Sequence, residues 1–393
     1  MALVTIPEEL LELRSTLRSF IEREIAPVEE SYARQIQEGE YSFIGDERAK
    51  LRKRSAELGF WGIHMPEEVG GMDLPFLGQV LLAEEAARSG LVLAHAEAIF
   101  PIVSGPSRIH LDCTPEQREK YLAPLMTADK LTCFALTEPE AGSDATRIRT
   151  KAERADGGWR LNGRKHFITA GDAADFALVF AVTDPEKGAR GGITAFLVDA
   201  DTPGYSVTRT QATMSPLQNP VELTFEDCEV PEGGVLGEVG AGFYSAVKGI
   251  NASRFGIAAT ALGTAAHLLE RMTEYAGSRI AFERPIGANQ YVQGMVVDSY
   301  AELEQARLLV YKLADDVDEG ADGRKEGALA KLAATEAVGR IADRAIQVHG
   351  GQGFMTELGL EIWYRDVRAM RLYEGTSEIL RQNVAKTLGL PVL

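Results

Sequence analysis

The sequence predicts an α+β chain in three parts: an N-terminal α-helical domain (1–128), a middle β-barrel-like domain (129–238) and a C-terminal four-helix bundle (239–393). Three observations lead there. Apolar residues recur at helical spacing up to about residue 127. They then fall into short alternating or unbroken runs as far as about 238, and from Gly242 long Ala-rich helical stripes continue to the end. At 393 residues the chain exceeds what one core usually organises.

Taken in order, Leu10, Leu13, Leu17, Phe20 and Ile21 share a helix face, and Pro27 is expected to punctuate that run. Leu51 to Leu58 repeats the pattern and stops at Gly59, a C-cap residue. A breaker-rich loop begins at Gly62, and Leu77 to Ala87 is a helix ended by Ser89-Gly90. Thr114-Pro115-Glu116-Gln117 opens another helix, Thr114 serving as N-cap and Gln117 completing a capping box. In the middle segment Asn162-Gly163, between alternating runs, predicts a hairpin turn. Runs from Phe176 and from Ile193 read as buried strands, whereas Val221 to Glu226 alternates wet and dry faces. A small barrel or sandwich follows. The last segment carries three stripes: Phe255, Ala258, Leu262, Ala265, Leu269 and Met272; Leu303, Ala306, Leu309, Leu313 and Val317; Leu329, Leu332, Ala333, Ile341 and Ala345. Long helices with short connections predict an up-down bundle.

A formal net charge of -17 argues against nucleic acid or an anionic membrane as partner, since both need a basic face. Cys113, Cys133 and Cys228 are odd in number and widely spaced, so they are expected to be reduced, buried thiols of a cytoplasmic protein. No signal-peptide pattern or apolar run of membrane-spanning length is expected, and neither the histidines nor the cysteines show metal-ligand spacing.

Five segments carry candidate chemistry: Phe134 to Asp144, Lys165 to Gly171, Arg279 to Gln290, Gln347 to Phe354 and Arg371 to Ile379. Neither a dinucleotide fingerprint nor a P-loop stands in a strand-to-helix setting. In the last segment Glu374 precedes Gly375 and two hydroxyl residues, Thr376 and Ser377, either of which would cap the helix that follows. A carboxylate on such a loop can serve as a base, or it can be an ordinary solvated glutamate.

Taken together and in register, the segments resemble the acyl-CoA dehydrogenase family over essentially the whole chain. The matching motifs are Thr137-Glu-Pro-x-Ala-Gly-Ser-Asp144, Phe167-Ile-Thr, Arg279 with Phe282 and Gln290, Gln347-x-x-Gly-Gly-x-Gly and Tyr373-Glu-Gly-Thr-Ser. The resemblance implies FAD held between the β domain and the C-terminal bundle, with a neighbouring subunit completing the site. Phe134, Leu136, Thr137, Gly142, Ser143, Phe167, Ile168 and Thr169 would face the isoalloxazine and ribityl chain. Arg279, Phe282, Gln290, Gln347, Val348, Gly350 and Gly351 would hold the ADP half, with Thr376 and Glu378 beside it. Ser143, Asn251, Arg254, Tyr373 and Gly375 would line the thioester side.

Glu374 would be the base that takes the α-proton of an acyl-CoA while the flavin accepts the β-hydrogen as hydride, giving the trans-2-enoyl thioester. Isovaleryl and long-chain relatives place their base before an arginine of the first bundle helix; that pair here is Ser253-Arg254, so no carboxylate competes. Three departures stand out: Asn251 where Asp is common, Glu283 where Gly follows the Phe, and Phe167 where several relatives have Trp. His95 and Ile99 would lie by the helix closing the acyl cavity. Val92, where glutaryl-type relatives have Arg, disfavours dicarboxylic substrates, and His349 would lie behind the cofactor. The resemblance implies a short- to medium-chain or branched substrate, a homotetramer, and an electron-transferring flavoprotein as electron acceptor. An acyl-carrier-protein-linked dehydrogenase, a desulfinase and a non-catalytic flavoprotein are the alternatives.

Overall fold

The computed structural model describes residues 4–29, 45–95, 98–101, 103–217 and 219–392. The side chain of His95 lies outside this description, and so does the expectation placed on it. The longer N-terminal helices are α1 (Glu8–Phe20), α2 (Asp46–Glu57) and α3 (Phe76–Arg88). Beyond α1 a wide π turn, Ile21–Ile25, keeps the chain helical through residue 29, so Pro27 lies within the run instead of ending it. The widened turn makes room for the proline ring, which would otherwise meet the carbonyl four residues back. The Thr114–Gln117 capping box forms in both directions, at 3.3 and 3.0 Å. The Gln117 amide also donates to the carbonyls of Gly233 and Val235, tying this segment to the β domain.

Eight strands follow: β1 (Thr132–Ala135), β2 (Lys151–Ala155), β3 (Gly158–Ile168), β4 (Phe176–Val182), β5 (Ile193–Asp199), β6 (Tyr205–Thr210), β7 (Val221–Pro231) and β8 (Val235–Leu236). Their order is β6-β7-β3-β2-β4-β5-β8, with β1 parallel to β4. The sheet is open where a barrel-like closure was expected. Among the described residues its ends are β6, exposed along most of its length, and β8, whose two residues pair only with β5. The hairpin turn also moves. Asn162-Gly163 lies inside the continuous strand β3, and the turn is Asp156-Gly157, where Ala155 pairs with Gly158. Gly163 instead marks a register shift against β7, where a Cβ would stand 2.5 Å from Thr150 Oγ1. Buried on both faces, β4 reads as an unbroken apolar run. Ala177, Val179 and Ala181 face one core with Phe196 and Phe225, while Phe176, Leu178 and Phe180 face another with Tyr121 and Ala246.

The longer C-terminal helices are α4 (Gly242–Ser278), α5 (Gln290–Asp318), α6 (Arg324–His349), α7 (Leu360–Ala369) and α8 (Ser377–Thr387). Helices α4, α5 and α6 pack on one another, and α7 and α8 pack on α6. Helix α3 also lies against α4, so the N-terminal and C-terminal helices share one core that runs from Leu17 and Phe60 to Leu262 and Ile341. The α4 stripe is buried as expected. In α5, Val310 is buried and Leu309 is exposed. In α6 the buried face carries Ala328, Lys331, Ala334, Thr335 and Val338, and Leu329 is only packed against its edge.

Candidate active site

The stretch between α7 and α8 is a turn that cannot be regular. Glu374 has φ +53 and Gly375 φ +95, so two successive residues are left-handed. Glycine takes that conformation readily, and a glutamate does so against a steric cost of roughly 1–2 kcal/mol. Of the two candidate caps the structure uses Thr376, whose Oγ accepts from the Ile379 N–H at 3.3 Å; Ser377 is buried as the first residue of α8.

Three consecutive carbonyls of this turn accept from two side chains of neighbouring helices. Lys331 Nζ on α6 donates to Tyr373 O at 2.7 Å and to Gly375 O at 2.8 Å. Arg254 Nε on α4 donates to Glu374 O at 3.1 Å between them. The Glu374 carboxylate accepts from Ser253 Oγ at 3.2 Å, a hydroxyl that also reaches the Ile250 carbonyl at 2.9 Å. Asn251 Oδ1 accepts from Arg254 Nη1 at 2.7 Å, so the pairing survives without the carboxylate that Asp would supply.

Electrostatics follow from this enclosure. Withdrawal from water pushes the Glu374 carboxyl above the usual carboxylate range, opposed by the Ser253 hydroxyl and the charges of Arg254 and Lys331. Burial takes Lys331 down to about 8. The Glu374 carboxylate is thus a stronger base than a solvated glutamate, yet it faces two cations that favour its ionised form.

Of the residues expected on the thioester side, Asn251, Arg254, Tyr373 and Gly375 gather around Glu374; a Cβ on Gly375 would stand 3.3 Å from the Arg254 guanidinium. Ser143 is exposed on the loop from β1 towards β2, and among the described residues no hydrogen bond ties it to that cluster.

The segments expected at the flavin are drawn together by a buried ion pair. Lys165 Nζ, fully buried on β3, meets Glu138 at 2.8 Å and the Leu136 carbonyl at 3.1 Å. Glu138 also accepts the backbone N–H groups of Arg149 and Thr150. The His166 N–H donates to the Thr137 carbonyl, which brings the end of β3 beside the segment leaving β1. Phe134 and Thr169 are half-buried there and Gly142 is exposed. Phe167 has φ +58 and is 62% exposed; its N–H donates to Gln211 Oε1, and Gln211 in turn holds His166. Leu136, Ile168 and Val348 have buried side chains, and the Leu136 carbonyl is already taken by Lys165.

The other group lies at the far end of the bundle. The Tyr275 ring near the end of α4 stacks on His349 at the end of α6, and its hydroxyl donates to Gln352. Arg279 and Phe282 stand on a two-stranded hairpin beyond α4, Gln290 starts α5, and Gln347, Gly350 and Gly351 are exposed at the end of α6. Phe282 has φ +52 and is 96% exposed, and Glu283 after it is left-handed too. The glycine expected at 283 would relieve that conformation. Glu378 is exposed in the first turn of α8.

The family comparisons decide the class. Residues 7–129, 133–228 and 240–389 match the N-terminal, middle and C-terminal domains of acyl-CoA dehydrogenase, in that order. The chain belongs to the acyl-CoA dehydrogenase family. It is 38% identical over 384 residues to an acyl-CoA dehydrogenase of Bacillus subtilis, covering 98% of each chain. It is 36% identical over 383 residues to a subunit of the caffeyl-CoA reductase-Etf complex of Acetobacterium woodii, covering 96% of this chain and 97% of that one. The butyryl-CoA dehydrogenase structure from Megasphaera elsdenii superposes with a TM-score of 0.88 at 32% identity, covering 99% and 100%.

This member of the acyl-CoA dehydrogenase family is therefore an oxidoreductase acting on CH–CH bonds with FAD as its cofactor. The residues present fit that cofactor. Phe167 and Phe282 hold exposed rings on left-handed backbone, two costs that a planar ligand or a second subunit covering them would offset. A Cβ at Gly142, Gly350 or Gly351 would meet open space, so none of the described residues fills the ground beside those backbones.

Sequence reasoning missed the Lys165–Glu138 pair, Gln211, Lys331 and the contact from Ser253 to Glu374. Ser253 had a signal: it occupies the position that carries the base in some relatives, so a side chain there reaches the same point in space. For Lys331 the signal was a lysine amid small apolar residues of a helix, which reads by default as a solvated position.

Proposed function

We propose that Glu374 is the base of this acyl-CoA dehydrogenase and removes the α-proton of a bound acyl-CoA. The observation that carries the reading is the turn itself: a carboxylate in left-handed backbone, withdrawn from water, between a serine hydroxyl and two buried cations. A thioester carbonyl acidifies its α-hydrogens, and the half-buried carboxylate has a basicity closer to what that proton requires. Bound FAD supplies the two-electron acceptor for the β-hydrogen. Ser253 and Arg254 orient the carboxylate and its turn, and Asn251 fixes the arginine.

The Acetobacterium relative is named for a reductase, and the same groups serve that direction, a protonated Glu374 returning its proton to the α-carbon of an enoyl thioester. Its Etf complex also supports an electron-transferring flavoprotein as redox partner here. The butyryl-CoA dehydrogenase neighbour and the apolar, buried Val92 support a short- to medium-chain or branched monocarboxylic acyl group. A homotetramer is the assembly proposed, supported by the exposed Phe282 hairpin; a cytoplasmic location is proposed from the three unpaired, buried cysteines.

The test is an anaerobic titration of the yellow protein with acyl-CoAs of graded length and branching, followed by flavin absorbance. Bleaching by one of them with release of the enoyl-CoA is expected, and the best substrate sizes the acyl cavity. A flavin that no acyl-CoA bleaches would contradict the reading and bring the carrier-protein thioesters forward.

A further inference from the structure

A lysine with its side chain fully out of water is an expensive way to fill a helix–loop contact, and Lys331 is 0% exposed. An apolar side chain of similar length would pack there without desolvating a charge. What the lysine does is specific: its ammonium spans the turn, holding the carbonyl before Glu374 and the carbonyl after it at 2.7 and 2.8 Å. The carbonyl of Glu374 between them accepts instead from Arg254 on a different helix. Among the described residues no backbone N–H pairs with these three carbonyls, so two cations from neighbouring helices do what a hydrogen-bond ladder does elsewhere.

We propose that Lys331 is a positioning residue for the base: by gripping both sides of Glu374 it fixes the left-handed turn that presents the carboxylate to substrate, and its charge favours the ionised carboxylate. This rests on the reading of Glu374 as the base. The charged groups facing Lys331 are Glu374 on the turn and Arg254 on α4. Further along the turn, Asp366 on α7 faces Tyr373 and is itself held by Ser215 Oγ at 2.6 Å. Removing the lysine charge takes away one of the two cations that favour the Glu374 anion, so the sign of the effect is fixed: the base needs a higher pH to ionise. Loss of the grip misplaces the carboxylate, and a displacement of that kind costs a rate factor on the order of 10².

The experiment compares Lys331→Met and Lys331→Arg with wild type as FAD-loaded proteins, reading flavin content, affinity for the enoyl-CoA product and the pH dependence of anaerobic flavin reduction by the best acyl-CoA. Lys331→Met should keep flavin and product affinity, reduce its flavin about 10²-fold more slowly, and show its acidic limb at higher pH. Lys331→Arg should return the limb towards wild type and recover part of the rate. If Lys331→Met reduces its flavin at the wild-type rate, or both variants are slow with the limb unmoved, the lysine is a packing element only. Should Lys331→Met not accumulate with flavin, Lys331→Gln keeps two donors without the charge; an unmoved limb there overturns the proposal equally. A wild-type flavin that no acyl-CoA reduces would bring down the functional reading and this inference together, whereas normal reduction with indifferent variants brings down the inference alone.

Discussion

At the scale of single residues, the site trades stability for reactivity. Glu374 has a carboxyl pushed above its unfolded value, chiefly by withdrawal from water, so between the two values the folded state holds more protons than the unfolded one. Stability therefore falls as pH rises through that window, and above it the ionised Glu374 is a net cost to the fold. Glu374→Gln removes the cost. The variant should melt with wild type at acid pH and at a higher temperature at neutral pH, which paired thermal scans of the two holoproteins would read; a lower melting temperature at neutral pH would show the carboxylate to be stabilising. Glu374 itself was legible because a carboxylate next to a glycine and a cap residue is a pattern in the chain. Its environment was not, because Ser253 and Lys331 lie 121 and 43 residues away and meet it only after α4 and α6 have packed.

At the scale of elements, helix stripes were the most readable feature and turns the least. The α4 stripe could be read because small and large apolar residues recur without interruption. In α6 alanines are so frequent that several faces look apolar, and the buried one is chosen by what it packs against; that face also carries Lys331 and Thr335. Asn162-Gly163 has the composition of a hairpin turn, but its glycine serves close approach to Thr150 and the strand continues through it. The Lys165–Glu138 pair is the element-scale device that holds Leu136 and Glu138, in the segment expected at the flavin, to β3. Lys165→Met would leave Glu138 buried without its cation, at a cost of about 3–5 kcal/mol. Urea unfolding of the holoprotein should show that loss together with weakened FAD retention; an unchanged midpoint and a retained flavin would show the pair to be dispensable.

At the scale of the molecule, the α, β, α order was visible in periodicity alone, but the sharing of one core by the first and last thirds was not. Periodicity reports which face is apolar and is silent about the partner, and here α3 packs on α4 across more than 150 residues of intervening chain. Closure of the sheet was unreadable for a related reason: whether two end strands meet depends on their lengths and twist, and β8 has only two residues. The exposed, left-handed Phe282 is a whole-molecule feature as well, since a ligand or another copy against the ring would offset the cost of placing it so.

The most direct measurement is anaerobic rapid mixing of wild type and Glu374→Gln, both loaded with FAD, with the same saturating acyl-CoA. Wild type should lose its flavin absorbance, and Glu374→Gln should bind the thioester yet stay yellow, its reduction slower by about 10²–10⁴, the usual worth of a positioned base. Equal rates in the two proteins would mean that the α-proton leaves by another group, and that Glu374 is not the base.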